Sequence, residues 1–248
     1  MSEATKVDRV PKAPTPAPRP TQPKPLVVAI DGPSGSGKSS TARGVASRLG
    51  LAYLDTGAMY RAVTWLALEE RIDRADNDAV VDLVTQATLD IELDPERSGI
   101  SIDGVDVSTA IRAPEVSAAV SSIATNLGVR ADLVARQQQL IANAEHGIVA
   151  EGRDITTVVA PNADVRVLLV ADPAARVARR HAELGTEVHA DDVTDQVIRR
   201  DRDDSTVAAF ESAAPGVHVV DSTALTLPEV IDAICALVPS GMREVQQP

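Results

Sequence analysis

The sequence predicts an α/β fold in which helices cover both faces of a parallel sheet. Five short apolar segments recur along the chain, at residues 26–30, 51–54, 148–150, 165–170 and 217–220. Continuous apolar runs of this length are typical of strands that are buried on both faces. Segments with helical patterning separate them, and a glycine-rich loop follows the first strand. We therefore expect ligands at the carboxyl ends of the strands.

The glycine-rich loop has the sequence G-P-S-G-S-G-K-S and fits the pattern G-x-x-x-x-G-K-[ST] at every fixed position. A helix is predicted after it over residues 39–49, and Gly50 ends this helix. Glycines let the backbone wrap a phosphate chain and point its N–H groups inward, and the helix N-terminus adds positive charge. Lys38 can reach the β- and γ-phosphates, and the Ser39 hydroxyl can ligate Mg²⁺.

A glycine-rich turn that binds nothing is the alternative, but strand, loop, Lys-Ser pair and helix occur together in the order that phosphate binding needs. The loop thus predicts a nucleoside triphosphate site. Its residues are consecutive: Gly32, Pro33, Ser34, Gly35, Ser36, Gly37, Lys38, Ser39 and Ser40.

Composition limits the other functions that the chain can have. The 248 residues are 44% hydrophobic but only 2% aromatic, and the formal charge is −12. An acidic chain with so few aromatic residues is not expected to bind nucleic acid, which needs a basic face or stacking platforms. The single cysteine, Cys235, allows no intrachain disulfide, as is usual in a reducing cytosol. No apolar run approaches 18 residues, so we expect a cytoplasmic protein without a membrane span.

The two ends of the chain differ from the remainder. Residues 1–25 hold seven of the 16 prolines and almost no large apolar residue, which predicts a disordered tail, with a Pro-rich docking motif as the alternative. Residues 26–238 are predicted to form the folded domain, and 239–248 a flexible C-terminus. We expect a monomer.

A small insert with a different pattern interrupts the α/β rhythm. Helices are predicted over residues 58–71, 76–87, 115–125 and 130–145. Between them, residues 89–93 and 100–102 alternate with period two around a turn, which predicts an antiparallel hairpin. The region therefore has α+β character.

Arginines cluster after the fourth strand. Asp172 and Pro173 begin a helix that carries Arg176, Arg179 and Arg180 on one face, and a second helix carries Arg199, Arg200 and Arg202. The polar stretch between these helices contains a glycine, as a mobile loop does. A solvated helix face explains any single arginine, but the pair of helices favours a lid that closes over the phosphates.

A second cluster of charged residues, Glu151-Gly152-Arg153-Asp154, lies at the carboxyl end of the third strand. A carboxylate there can hold Mg²⁺ or orient the attacking group, although Arg153 and Asp154 could instead form a structural ion pair. The four histidines show no ligand spacing, and no G-x-S-x-G motif supports hydrolase chemistry.

The sequence resembles bacterial cytidylate kinases. The resemblance rests on the glycine loop and on three further motifs: L-D-T-G-A-M-Y-R at residues 54–61, E-G-R-D-I at 151–155 and R-R-D-R-D-D-S-T at 199–206. It implies a P-loop kinase with a five-stranded parallel sheet, which uses MgATP to phosphorylate CMP or dCMP. It also implies a CMP-binding insert at residues 60–145 and a helical lid at 173–205.

The resemblance assigns roles residue by residue. The residues that it implies for CMP binding are Thr56, Arg61, Ser121, Arg130, Arg153, Asp154, Arg200 and Asp204. The residues that it implies for phosphoryl transfer are Lys38, Arg153, Arg180 and Arg200, and those for Mg²⁺ are Ser39 and Glu151. Asp154 suits cytosine, because a carboxylate accepts from the 4-amino group that uracil lacks.

The chain departs from the family pattern at three places. Thr156 stands where glycine is frequent, Val207 where an arginine is usual, and the Pro-Leu that commonly follows is absent. Three alternatives thus stay open: a kinase for another monophosphate or small metabolite, a P-loop switch, and a nucleotide-binding regulatory protein with weak turnover. The switch is disfavoured, because a guanine-reading N-K-x-D motif does not occur.

Overall fold

The structure of the protein is a computed structural model. It describes residues 24–97, 99–184, 202, 206 and 212–243, and within these it excludes the side chains of 180, 182–184 and 243. Five strands form the principal sheet: β1 (Val27–Asp31), β2 (Ala52–Asp55), β6 (Ile148–Gly152), β7 (Val165–Val170) and β8 (His218–Asp221). Their order is β2-β6-β1-β7-β8, and all neighbours are parallel. The predicted five-stranded parallel sheet is confirmed.

The register of the central strands determines where the charged residues meet. Asp31 at the end of β1 lies opposite Gly152, and Asp55 at the end of β2 lies opposite Glu151. Parallel strands place their carboxyl ends at one edge of the sheet. Residues from three distant parts of the sequence are therefore adjacent at this edge.

Helices cover both faces of the sheet. They are α1 (Lys38–Leu49), α2 (Thr56–Glu69), α3 (Asn77–Gln86), α4 (Pro114–Ala124), α5 (Leu127–Ala142), α6 (Pro173–Leu184), α7 (Leu227–Leu237) and α8 (Ser240–Arg243). Helices α1 and α7 pack on one face, against Val28, Ile30 and Val167. Helices α2, α3 and α5 contribute to the hydrophobic cluster on the opposite face, which includes Ala29, Leu54 and Ala150.

Capping residues explain why two helices begin earlier in the chain than predicted. The prediction began a helix at residue 58, but Asp55 caps α2 by accepting from the backbone N–H of Ala58 at 2.8 Å, so α2 begins at Thr56. The helix predicted from residue 130 begins at Leu127, because Asn126 accepts from the N–H groups that follow it. An asparagine or aspartate cap at each boundary satisfies N–H groups that have no partner within the helix.

The predicted hairpin is part of a three-stranded antiparallel sheet. Its strands are β3 (Leu89–Ile91), β4 (Ile100–Ile102) and β5 (Val105–Asp106), of which β5 was not predicted. Ile100 and Ile102 belong to the same hydrophobic cluster as the adjacent face of the parallel sheet. The bounds of the CMP-binding insert at 60–145 stay a prediction, as do those of the folded domain.

Other predicted segments fall largely outside the described residues. These include residues 1–23 of the predicted tail, 185–201 of the predicted lid and 244–248 of the predicted C-terminus. At the edge of the tail, Lys24 Nζ lies 2.7 Å from Asp164 Oδ1. Within the described parts of the chain, no helix is both long enough and apolar enough to cross a membrane.

Candidate active site

The glycine loop lies tightly against neighbouring backbone. A Cβ atom at Gly32 would lie 2.2 Å from the carbonyl oxygen of Leu169 in β7, and one at Gly35 would lie 2.6 Å from that of Arg176 in α6. Gly35 also has a φ of +74°, a left-handed conformation that glycine adopts without strain. Side chains at these positions would displace the loop, so the two glycines fix its course between β1 and α1.

Arginines from α6 form hydrogen bonds with the backbone of the loop. Arg176 Nη1 donates to the carbonyl oxygen of Ser34 at 3.0 Å, and Arg179 Nη1 lies 3.4 Å from that of Ser36. Arg179 also donates to Ser222 Oγ at 2.9 Å and to the Ser222 carbonyl at 2.6 Å. These two predicted lid arginines thus support the phosphate loop, whereas the side chain of Arg180 lies outside the described residues.

Lys38 begins α1 and folds back over the loop. Its Nζ atom donates to the carbonyl oxygen of Pro33 at 2.8 Å. The ammonium group is therefore held against the backbone of the glycine loop. The predicted contact of Lys38 with the β- and γ-phosphates stays a prediction.

Ser39 and Glu151 are joined across the ends of α1 and β6. Ser39 Oγ donates to Glu151 Oε1 at 2.6 Å, and Tyr53 Oη lies 3.4 Å from the same oxygen. Glu151 is 4% exposed, and burial, followed by the charge of Asp55, raises its pKa, whereas Lys38, the Ser39 bond and Arg61 act in the opposite direction. A serine hydroxyl beside a carboxylate supplies hard oxygen ligands that fit Mg²⁺. No group of three or more acidic, histidine or cysteine side chains with metal-binding geometry occurs in the described residues.

The start of α2 brings Asp55, Thr56 and Arg61 together. Arg61 Nη2 lies 3.1 Å from Asp55 Oδ2, and both side chains are largely buried. Thr56 Oγ1 donates to the carbonyl oxygen of Glu151 at 2.7 Å. The predicted phosphate-binding arginine is thus adjacent to the end of β6, although sequence reasoning gave Asp55 no role beyond its place in a motif.

The turn after β6 carries Arg153 and Asp154. Arg153 Nη1 donates to the carbonyl oxygen of Gly32 at 2.8 Å, which connects this turn to the glycine loop. Asp154 is paired with Arg130 of α5, so the ion pair with Arg153 that the sequence left open is not what holds it. Asp154 is 5% exposed, and burial raises the pKa of its carboxyl while Arg130 opposes that effect. Arg130 and Asp154, two of the residues that the resemblance implies for CMP binding, are thus in contact.

Asp31 is a site residue that sequence reasoning missed. It is 1% exposed, and its carboxylate accepts from the backbone N–H groups of Ile155 and Thr156, each at 2.8 Å. Thr156 Oγ1 donates to Asp31 Oδ2 at 2.6 Å. A charged residue at the end of an otherwise apolar strand was the available signal.

Three further predicted CMP contacts are one described residue, Ser121, and two residues that the structure does not describe. Ser121 lies half-buried on α4, and no described residue is a hydrogen-bond partner of its side chain. Arg200 and Asp204 lie outside the described residues, as does Val207. Their roles stay predictions.

Comparison with known proteins identifies the family to which the chain belongs. The family model described as cytidylate kinase matches residues 28–240. A cytidylate kinase of Cutibacterium acnes is 57% identical over 88% of this chain and 98% of its own length. One of Streptomyces coelicolor is 46% identical over 88% of this chain and 94% of its own length.

Among solved structures, a shikimate kinase of Acinetobacter baumannii in complex with shikimate is similar with a TM-score of 0.42 and 13% identity. The match covers 86% of this chain and 93% of that one. Similarity at this level says nothing about the acceptor that this chain uses.

Proposed function

Because the chain belongs to the cytidylate kinase family, we propose that it transfers the γ-phosphoryl group of ATP to CMP or dCMP, giving ADP and CDP or dCDP. The observation that carries the proposal is the hydrogen bond from Arg153 to the carbonyl oxygen of Gly32. It joins the residues assigned to the acceptor nucleotide to the loop assigned to ATP. ATP bound at the loop and CMP bound by the acceptor residues would therefore have their phosphates next to each other.

The ATP side of the site needs N–H groups that surround the phosphates, and cations that neutralise their charge. The loop N–H groups would bind the β- and γ-phosphates, with Lys38 placed above them. Ser39 directly, and Glu151 directly or through water, would hold Mg²⁺, which when bound neutralises charge on the phosphate oxygens. Charge limits phosphoryl transfer more than covalent chemistry does, so these groups act by position and electrostatics.

The acceptor side would bind the monophosphate through arginines. Arg61 and Arg153 present planar guanidinium groups that suit bidentate phosphate binding, and Arg180 and Arg200 are proposed to complete the set. The attacking group is an oxygen of the CMP phosphate itself, so no side chain has to act as a nucleophile. Arginines would hold this oxygen in line with the γ-phosphorus.

The base would be read by the Asp154–Arg130 pair. A carboxylate at Asp154 accepts from the 4-amino group of cytosine, and Arg130 can donate to its ring nitrogen or carbonyl oxygen. Uracil has a carbonyl oxygen where cytosine has the amino group, and two oxygens would face each other. Thr56, Ser121 and Asp204 are proposed as further nucleotide contacts.

Acceptor choice provides the experiment. ADP release in the presence of MgATP should be measured with CMP, dCMP, UMP and AMP as acceptors. We expect kcat/KM for CMP and dCMP to exceed that for UMP by at least about tenfold, which corresponds to about 1.4 kcal/mol. Comparable values for UMP or AMP would favour the alternative of a kinase for another monophosphate.

We further propose that the enzyme works as a monomer in the cytoplasm and binds no nucleic acid. The net charge of −12 argues against nucleic-acid binding, and the single cysteine suits a reducing compartment. Light scattering of the purified chain with and without nucleotides would measure the oligomeric state directly.

A further inference from the structure

Asp31 is a buried carboxylate to which the proposed phosphoryl transfer assigns no role. It ends β1 and immediately precedes the glycine loop, and it is 1% exposed. Three donors converge on it: two backbone N–H groups and the Thr156 hydroxyl, at 2.6–2.8 Å. Burial raises the pKa of this carboxyl, while the bonds from Thr156 and Ile155 act in the opposite direction. A buried carboxylate with three donors fixes the segment that supplies them.

The segment that Asp31 holds begins one residue after Asp154. Residues 155–159 form a short π-helical turn, and the carbonyl oxygen of Asp154 accepts from the N–H groups of Val158 at 2.8 Å and Val159 at 3.2 Å. Short π-helical turns are rare and occur frequently at functional sites. The backbone on both sides of the Asp154 side chain is therefore restrained, at the position assigned to the cytosine base.

Hydrogen bonds connect this turn to the end of β1 and to the first residue of the glycine loop. Asp31 binds Ile155 and Thr156, and the next residue, Gly32, accepts from Arg153 at 2.8 Å. Asp31 and Gly32, next to the proposed ATP site, thus bind residues of the turn next to the proposed CMP site. A shift of the turn would change the position of Arg153 and Asp154 together.

We propose that Asp31 and Thr156 are positioning residues that set cytosine selectivity by holding the turn that carries Arg153 and Asp154. This inference rests on the proposed function and deepens it. Thr156 contributes through its hydroxyl group, because its methyl group cannot donate to Asp31. The Asp31–Thr156 bond acts on the placement of Asp154 and thereby on the choice between amino and carbonyl groups in the base.

Three threonine variants isolate the hydroxyl group. Thr156→Val keeps the shape and removes the donor, Thr156→Ser keeps the donor, and Thr157→Val makes the same change at the next residue. The Thr157 side chain makes no hydrogen bond to any described residue, which makes this variant a matched control.

We expect Thr156→Val to lower kcat/KM for CMP by about tenfold, mainly through a raised CMP KM. The ratio of kcat/KM for CMP to that for UMP should fall by about threefold or more. The ATP KM should change less than about twofold. Thr156→Ser should restore the ratio, and Thr157→Val should leave it at the parent value. A merely structural role would lower the melting temperature without moving this ratio.

The outcomes separate the inference from the function on which it rests. If the parent chain shows no CMP preference, the proposed function fails first. If the parent prefers CMP and Thr156→Val keeps that preference with a normal CMP KM, the inference is overturned. Asp31→Asn offers one oxygen where a carboxylate offers two, so we expect a larger loss of CMP activity from it. Should that variant not fold, the Thr156 variants decide alone, with circular dichroism as the check on their fold.

Discussion

Ser39 donates a hydrogen bond to Glu151 at 2.6 Å although the two residues are 112 positions apart in the chain. The bond joins the first turn of α1 to the carboxyl end of β6. It places a hydroxyl oxygen and a carboxylate side by side, next to the loop that would hold the phosphates. An incoming Mg²⁺ would therefore find two oxygen ligands already in place.

The first prediction tests this pair. Glu151→Gln keeps the size of the side chain but removes its charge, so we expect the Mg²⁺ concentration for half-maximal activity to rise by about 10- to 100-fold. Titration of activity with MgCl₂ at fixed ATP measures the shift. Glu69→Gln, at the exposed end of α2, is the matched control and should titrate like the parent. An unchanged Mg²⁺ requirement in Glu151→Gln would remove Glu151 from the metal site.

The second prediction concerns Lys38. Lys38→Ala removes the cation held over the loop, and we expect kcat to fall by about 100- to 1000-fold with little change in the far-ultraviolet circular dichroism. Lys24→Ala is the control, because Lys24 forms an exposed pair with Asp164, and such pairs contribute little. Near-parental turnover in a folded Lys38→Ala protein would show that the loop is not catalytic.

The third prediction is a pH dependence of base selectivity. Burial raises the pKa of Asp154, with Arg130 opposing, so this carboxyl takes up a proton at higher pH than an exposed aspartate does. The protonated group can donate to the uracil carbonyl and no longer favours the cytosine amino group. The ratio of kcat/KM for CMP to that for UMP should therefore fall as the pH is lowered from about 7.5 towards the ordinary aspartate range near 4.

The control for this pH dependence is Asp154→Asn, which has no proton to gain in that range. Its CMP-to-UMP ratio should be low and flat across the same pH values. A parent ratio that is equally flat would mean that Asp154 does not read the base, or that Arg130 keeps it ionised throughout.

The sequence predicted the parts of this site that follow from strand ends. The loop that follows β1 and the end of β6 had to lie at one edge of a parallel sheet, so Lys38, Ser39 and Glu151 could be grouped from the sequence. The glycine motif added the chemistry. These predictions needed only local patterns and one general rule of sheet topology.

Contacts between a strand end and a distant turn were not predictable in that way. No spacing rule relates Asp31 to Thr156, which are 125 positions apart, and the π-helical turn has no sequence signature. The pairing of Arg130 with Asp154 was reached only as two separate assignments from family resemblance. Strand β5 was missed because two residues are too short for an alternating pattern.

The fourth prediction starts from Gly57 in the first turn of α2. A Cβ atom there would lie 3.1 Å from Arg61 Nη1 and 3.2 Å from Asp55 Oδ1. Those two side chains form the ion pair at 3.1 Å that orients the predicted phosphate-binding arginine. The helical backbone itself accepts alanine readily, so the effect of a methyl group would fall on the pair and not on the helix.

We therefore expect Gly57→Ala to raise the CMP KM by about threefold to tenfold, because the paired side chains of Arg61 and Asp55 must give by a few tenths of an ångström. Folding stability should change by less than about 1 kcal/mol, since the gain in helix propensity offsets the crowding. Gly241→Ala, in α8, is the matched control, because a Cβ atom there meets no heavy atom within 4 Å in the described residues. Steady-state kinetics with CMP varied at saturating ATP, together with urea unfolding, measure both quantities. A Gly57→Ala enzyme with a parental CMP KM would show that Arg61 tolerates displacement, and that its contact with Asp55 does not position it for the acceptor phosphate.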